Sequence, residues 1–254
     1  MIERTEIKFF ESLVTFLEVK KIVEIGVAYG DGTECLCKGA SKVGGWVYGF
    51  DVWKRHGLKK QFKNFSTKEK VEERLKKAGC DNFTLTKIDS IEQKETLIKL
   101  IDSYCPDGID FAFIDGDHSY LGLKNDFSIV YPRLKSTGVI AFHDTLMIDG
   151  CREFVLDLRT KYNDGTYDIV DFPFGCHSNR RIGISLLVKN SYPVIDDPII
   201  EVCGSILSPE KIEEYEKAYL TQKISNRKNR LYDINSKDKM TTNVGTYNRK
   251  KYDE

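Results

Sequence analysis

Two short acidic clusters in this chain hold the residue types that move protons or bind cations. Asp115-Gly116-Asp117-His118 supplies two carboxylates and an imidazole, and His143-Asp144 supplies one more of each. Such groups gathered in one crevice repel each other or lose solvation, at a cost of several kcal/mol, unless a cation or hydrogen bonds compensate them. A divalent cation is the simplest compensation, and mixed oxygen and nitrogen ligation suits Mg²⁺, Mn²⁺ or Fe²⁺ alike. The same groups suit the activation of a hydroxyl. A hydroxyl is too weak an acid to be a good nucleophile at neutral pH, and it is activated by metal coordination or by a positioned base, here Asp117 or His118. The competing role for Asp117 is to cap the following helix, and for His118 to hold a ligating carboxylate.

A third constellation lies upstream. Residues 23–33 read VEIGVAYGDGT, a short β-branched strand running into Gly26, Gly30 and Gly32. Glycines at a strand exit let the backbone turn sharply and approach a ligand without a Cβ in the way. The spacing is not G-x-G-x-x-G and lacks a G-K-[ST] ending, so neither a dinucleotide nor ATP is the first expectation. Asp51 ends the next strand, 21 residues after Gly30, where a carboxylate can accept both hydroxyls of a ribose. Glu24 and Asp31 put negative charge beside the loop, a poor setting for pyrophosphate and a good one for a cationic ligand.

The elements that must position these groups follow from the apolar pattern. Strand-like runs at IVEIGV, WVYGFDVW (46–53), FTLTKID (83–89), GIDFAFIDGD (108–117) and VIAFHD alternate with helical stretches at 33–43, 68–78, 91–104 and 119–134. That rhythm predicts an α/β fold with a doubly wound, mostly parallel sheet. GIDFAFIDGD is apolar almost throughout, as a strand covered on both faces must be. Ligands of open parallel sheets sit beyond the carboxyl ends of the strands, so the glycine loop and both acidic clusters should converge on one edge. After residue 145 the pattern changes to a helix at 151–162 and two strands, YDIVDFPF and RIGISLLVKN, that should pair as an antiparallel edge hairpin and complete seven strands. Residues 4–17 have the 3.6 period of an amphipathic helix, and Ser208-Pro209-Glu210 opens a helix to 222. The expected organisation is an N-terminal helix (1–19), a catalytic domain (20–192), and a C-terminal helix with a basic, mobile tail (193–254). Lys54 to Lys70 reads as a loop or lid, and His177, Arg180 and Arg181 fall in the hairpin loop.

From about Lys20 to Lys189 the chain resembles the class I S-adenosylmethionine-dependent methyltransferases. VEIGVAYGDGT is similar to their motif I, FDVW with Asp51 to motif II, KIDS with Asp89 to the acidic adenine motif, and FAFIDGDHSY to motif IV. The resemblance implies S-adenosylmethionine as cofactor, with Glu24, Gly26, Tyr29, Gly30, Gly32 and Thr33 around its methionine and ribose. It also implies that Asp51 binds the ribose hydroxyls and that Asp89 and Ser90 reach the adenine amino group. D-G-D-H-S-Y followed by G-V-I-A-F-H-D further resembles the metal-assisted small-molecule O-methyltransferases, including those acting on macrolide sugars and the cephalosporin-type relatives. That implies metal ligands at Asp115, His143 and Asp144 and a base at Asp117; the usual pair at the fifth strand is two acids or acid plus Asn, and His143 departs from it. The implied reaction moves a methyl group to a hydroxyl of a small polar acceptor, a sugar or nucleotide-linked sugar, by direct displacement. The rival readings are an RNA or protein methyltransferase and a nucleotide-binding module with a structural acid cluster. The first lacks an NPPY-type motif.

The 254 residues are 41% hydrophobic and 31% charged, enough apolar mass for a core and too much for wholesale disorder. Lys plus Arg and Asp plus Glu number 39 each, but residues 221–254 carry +5 and residues 1–220 carry −5. An acidic body offers nucleic acid and anionic membranes no attraction. No run of about 18 apolar residues occurs and the N-terminus is charged, so a cytoplasmic protein without a membrane partner is expected. Seven Cys without a C-x-x-C pair predict free thiols rather than disulfides or a zinc ribbon. Self-association is left open.

Overall fold

A computed structural model describes residues 4–53, 66–173 and 182–190. Most of the basic stretch 54–70, the loop with His177, Arg180 and Arg181, and everything from 191 on, including the expected helix and tail, lie outside the described residues.

The elements are α1 (Arg4–Phe16), β1 (Lys21–Ile25), α2 (Asp31–Ser41), β2 (Trp46–Asp51), α3 (Lys68–Lys77), β3 (Phe83–Lys87) and α4 (Lys94–Tyr104), followed by β4 (Ile109–Ile114), α5 (Tyr120–Val130), β5 (Leu134–Phe142), α6 (Asp149–Thr160), β6 (Tyr167–Phe172) and β7 (Ile184–Lys189). Seven strands lie in the order β3-β2-β1-β4-β5-β7-β6. Strands β1 to β5 pair in parallel, and β7 runs antiparallel to both β5 and β6. This is the expected doubly wound sheet with its antiparallel edge. The order turns back between β1 and β4, so the loops leaving those two strands open a crevice at their carboxyl ends.

Alternation along β4 shows why its sequence is apolar from Phe111 to Ile114. Phe111 and Phe113 point into the layer formed with α1, α2 and α3, while Ala112 and Ile114 point into the layer with α4, α5 and α6. With both faces covered from Phe111 on, the polar position of the strand is Asp110 near its start, where the Lys20 and Lys21 amides and Lys135 meet its carboxylate. Register then sets the level of the site. Ile25 pairs with Phe50 on one side and with Ile114 on the other, so Asp51 and Asp115 leave their strands beside Gly26.

The helix expected at 119–134 ends at Val130 and β5 already begins at Leu134, and two further boundaries differ from the sequence pattern for local reasons. The helix expected from 91 begins at Lys94, because Asp89 Oδ1 accepts the amides of Ile91 (2.9 Å) and Glu92 (3.0 Å) and closes a turn first. The strand expected to reach 117 stops at Ile114, where the acidic turn begins. Helix α1 is packed into the same compact unit as the sheet: Phe10 sits 4.8 Å from the Phe113 ring and 6.3 Å from Phe111. No helix among the described residues is long and apolar enough to cross a membrane.

Candidate active site

Gly26 has φ 95°, in the left-handed region, and a Cβ there would stand 2.2 Å from the Asp115 carbonyl oxygen. The β1 exit and the β4 exit therefore touch backbone to backbone. Asp51 folds the rest of the loop: its Oδ2 accepts the amides of Val27 (2.9 Å) and Ala28 (2.8 Å), and its Oδ1 accepts that of Trp53 (2.5 Å). Trp53 closes back through its indole N–H on the Ala28 carbonyl at 3.2 Å. From α3, Arg74 reaches the Tyr29 carbonyl (2.5 Å), Asp31 (2.7 Å) and Glu34 (2.8 Å), pinning the loop and the start of α2. Gly30 and Gly32 flank that contact, Gly30 immediately before α2 and Gly32 buried within its first turn.

Glu24 lies beneath the loop. It is fully buried, and its Oε2 accepts the Thr33 hydroxyl at 2.6 Å. Burial pushes its carboxyl up to about 8, against the Thr33 hydrogen bond and with help from Asp115, Asp51 and Asp31. The native state thus keeps a proton that the unfolded chain releases near its ordinary 4.5. More protons are bound in the native state across that window, so stability falls as pH rises, by roughly 1.4 kcal/mol per unit at its steepest. Glu24→Gln removes the slope. Urea unfolding at pH 5 and pH 8 should show the variant gaining on the wild type at the higher pH, and parallel behaviour would contradict the buried proton.

The second cluster is built around one oxygen. Asp115 Oδ1 lies 3.1 Å from His118 Nε2 and 3.0 Å from His143 Nδ1, and Asp144 Oδ2 lies 3.6 Å from each of the same two nitrogens. Burial alone would raise the Asp115 carboxyl, but His143 and His118 overcome it and hold it well below the usual range. Burial likewise disfavours a charge on His143, yet Asp115, Asp144 and Glu6 together push that ring up to about 12. His118 is raised chiefly by its hydrogen bond to Asp115. His143 is therefore an imidazolium, with Nε2 facing the wholly buried Glu6 Oε1 of α1 at 3.4 Å.

This arrangement changes the expected ligand set. Asp115, His118 and Asp144 each offer an atom within 4.8 Å of the others. His143 instead stands behind Asp115, 2% exposed, with one nitrogen on Asp115 and the other on Glu6. Asp144 adopts φ 58°, a left-handed conformation that non-glycine residues hold only where the surroundings impose it. Asp117 is exposed and its Oδ1 accepts the Ser119 amide at 2.9 Å, while the cap of α5 is Ser119 itself, through the Gly122 amide at 3.0 Å. Asp89 and Ser90 lie in the loop after β3, and the Ser90 carbonyl accepts from Asn125 of α5 at 3.0 Å. Glu6, Arg74 and Asn125 contribute to this region without having been singled out from the sequence.

Comparison with known proteins places this geometry. Residues 23–145 match a family described as a methyltransferase domain. An uncharacterized protein, R132, of Acanthamoeba polyphaga mimivirus is 30% identical over 94 residues, 34% of this chain and 40% of that protein. The chain spans less than half the length of the curated relatives it matches. Among solved structures, an O-methyltransferase from Bacillus cereus in complex with SAH superposes with a TM-score of 0.57 at 16% identity, covering 75% of this chain and 83% of that one. The O-methyltransferase TomG from Streptomyces achromogenes, in complex with SAM, gives 0.57 at 14% identity, covering 75% and 82%. The sheet that carries the matched residues 23–145 has the fold of these two solved structures.

Proposed function

We propose that this protein is an S-adenosylmethionine-dependent O-methyltransferase acting on a hydroxyl of a small polar acceptor, a sugar or a nucleotide-activated sugar, with a divalent metal assisting. The observation that carries the reading is the backbone contact of Gly26 with Asp115, which brings the glycine loop and the acidic cluster together at the point where the strand order turns. O-methyltransferases among the structures with this fold support the reaction class. The acid-lined crevice suits a sulfonium, and the loop from Gly26 to Thr33, with Asp51, would lie under its methionine and ribose.

The donor set fits a hard divalent ion. Asp115 and Asp144 are carboxylates and His118 an imidazole, all at the same crevice, and these three would hold it. When bound, such an ion lowers the proton affinity of an acceptor hydroxyl. With His118 among the ligands, Asp117 is the group we assign to take the hydroxyl proton, its side chain steadied by the Ser119 amide. Buried His143 keeps Asp115 ionised and aimed. Five of the cysteines are buried free thiols, which suits a reducing compartment such as the cytoplasm.

Isothermal titration with S-adenosylhomocysteine tests the cofactor: no heat at saturating ligand would sink the reading. Transfer of labelled methyl to a panel of sugars and nucleotide sugars tests the acceptor. Asp144→Ala should abolish transfer and leave S-adenosylhomocysteine affinity within a few-fold, and full activity after EDTA would count against the metal.

A further inference from the structure

The exit of β5 and the entry of β7 run out of step. Phe142 pairs with Ser185, yet the Thr145 amide donates to the Gly183 carbonyl at 3.3 Å and the Leu146 amide to that of Ile182 at 3.1 Å. Three steps along one chain therefore match two along the other. The extra residue is taken up at Asp144, where φ 58° turns the backbone out of the strand. A bulge of this kind re-aims a side chain, and a slip of one residue in the pairing would send Asp144 to another face. Whatever fixes the register here fixes the aim of a carboxylate at the crevice.

A row of side chains fixes it. Thr145 is 1% exposed, and its Oγ1 lies 2.9 Å from the hydroxyl oxygen of Ser185, which is wholly buried. Ser185 Oγ lies 2.6 Å from Asp171 Oδ1 of β6, its partner across the ladder, and Arg159 of α6 donates to the same carboxylate oxygen. The sense of the row follows from counting protons. Asp171, paired with a guanidinium, accepts; Ser185 gives it the one proton it has and takes that of Thr145 in turn. Two buried hydroxyls have no packing advantage over two methyl groups, because each must find a partner or cost stability. What they add is selection: Thr145 meets Ser185 in the register that holds Asp144 left-handed, whereas apolar side chains would pack in either.

We propose that Ser185 is a positioning residue for the cation site: through Thr145 it holds the Asp144 carboxylate where it meets those of Asp115 and His118. This rests on the metal reading above. The antiparallel edge of the sheet thereby acquires a task at the crevice, since the row begins on β6 and α6 and ends beside Asp144.

The test is Mn²⁺ binding by the full chain, followed through the paramagnetic resonance signal of the free ion, with calorimetric titration of S-adenosylhomocysteine alongside. Ser185→Ala should weaken Mn²⁺ by roughly tenfold or more, as loss of a group behind a ligand does, and leave S-adenosylhomocysteine affinity within about twofold. A fall in both affinities together would mean a general loosening of the sheet, and unchanged Mn²⁺ affinity would mean that the row does not aim Asp144; either result overturns the proposal. Should Ser185→Ala fail to fold, Thr145→Val and Thr145→Ser carry the same test. The first removes the hydroxyl at nearly constant shape and must lose Mn²⁺, the second keeps the hydroxyl and must retain it, and equal affinities in the two overturn the relay. Wild type that bound no Mn²⁺ would remove the metal reading and the proposal together, whereas wild-type binding left intact by Ser185→Ala removes the proposal alone.

Discussion

Replacing His143 with leucine is expected to lower folding stability by about 3–5 kcal/mol, because it removes the buried cation shared by Asp115 and the wholly buried Glu6. Glu6 is wholly buried and lies 3.4 Å from His143 Nε2, and Asp115 lies 3.0 Å from Nδ1. Glu6 cannot exchange the lost partner for water, whereas Asp115, open to the crevice on one side, keeps His118. The pH dependence gives the assignment a sign. The folded ring keeps its proton up to about 12 and the unfolded one releases it near 6.5, so the contribution is whole below 6.5 and is lost as pH rises toward 12. Asp115, depressed in the fold, contributes above its ordinary 3.8 and loses that contribution as pH falls. The gap between wild type and His143→Leu in urea unfolding should therefore be widest between about pH 4 and 6.5 and narrow by pH 9. A gap that stayed constant from pH 5 to 9 would contradict a buried imidazolium. Adding Glu6→Leu should recover much of the loss, since an apolar pair in place of a buried ion pair is often neutral.

Gly26→Ala should be as damaging by a different route. The added carbon would stand 2.2 Å from the Asp115 oxygen, 2.4 Å from its carbonyl carbon and 2.6 Å from the Gly116 nitrogen, all backbone atoms of an adjoining strand exit. None of these can swing aside as a side chain would, and φ 95° adds strain for any residue with a Cβ. We expect a loss of roughly 3 kcal/mol or more in stability and at least a hundredfold in S-adenosylhomocysteine affinity, because the two exits would have to part. Gly30→Ala offers the control. Its nearest obstacle is the Val71 Cγ1 at 2.7 Å, one side-chain atom against the three backbone atoms that meet Gly26, so thermal melts should rank it above Gly26→Ala. Equal melting temperatures would show that the β1–β4 contact is not the constraint argued here.

The sheet could be read from the chain because burial on both faces leaves a plain mark: IDFAFI in β4 has no other use. The edge strands were legible as two runs with a short connection, and β6, on the outside, is covered at Tyr167 and exposed at Asp168, Val170 and Asp171. The glycine loop was visible in its spacing, though not the use of Asp51, whose carboxylate binds the loop's own amides. What escaped were single charges on buried helix faces. Glu6 lies four and eight residues before Phe10 and Val14, both fully buried, so the helical period itself places it inside. Asp126 sits in the same way among Leu123, Ile129 and Val130. A charge on an apolar stripe was the available signal in each case. The resemblance implies a ligand at His143, and its ring lies between Asp115 and Glu6.

Helix α1 draws the outline of the working unit differently from the sequence match. The matched segment runs from 23 to 145, yet one of the acids that fixes the charge of its central imidazole comes from residue 6. A fragment trimmed to the matched boundaries would keep every glycine and every acid at the crevice and still lose the counterion behind them. Portability of this domain, whether into a fusion or a shortened expression clone, is therefore decided at its first helix and not at its first strand.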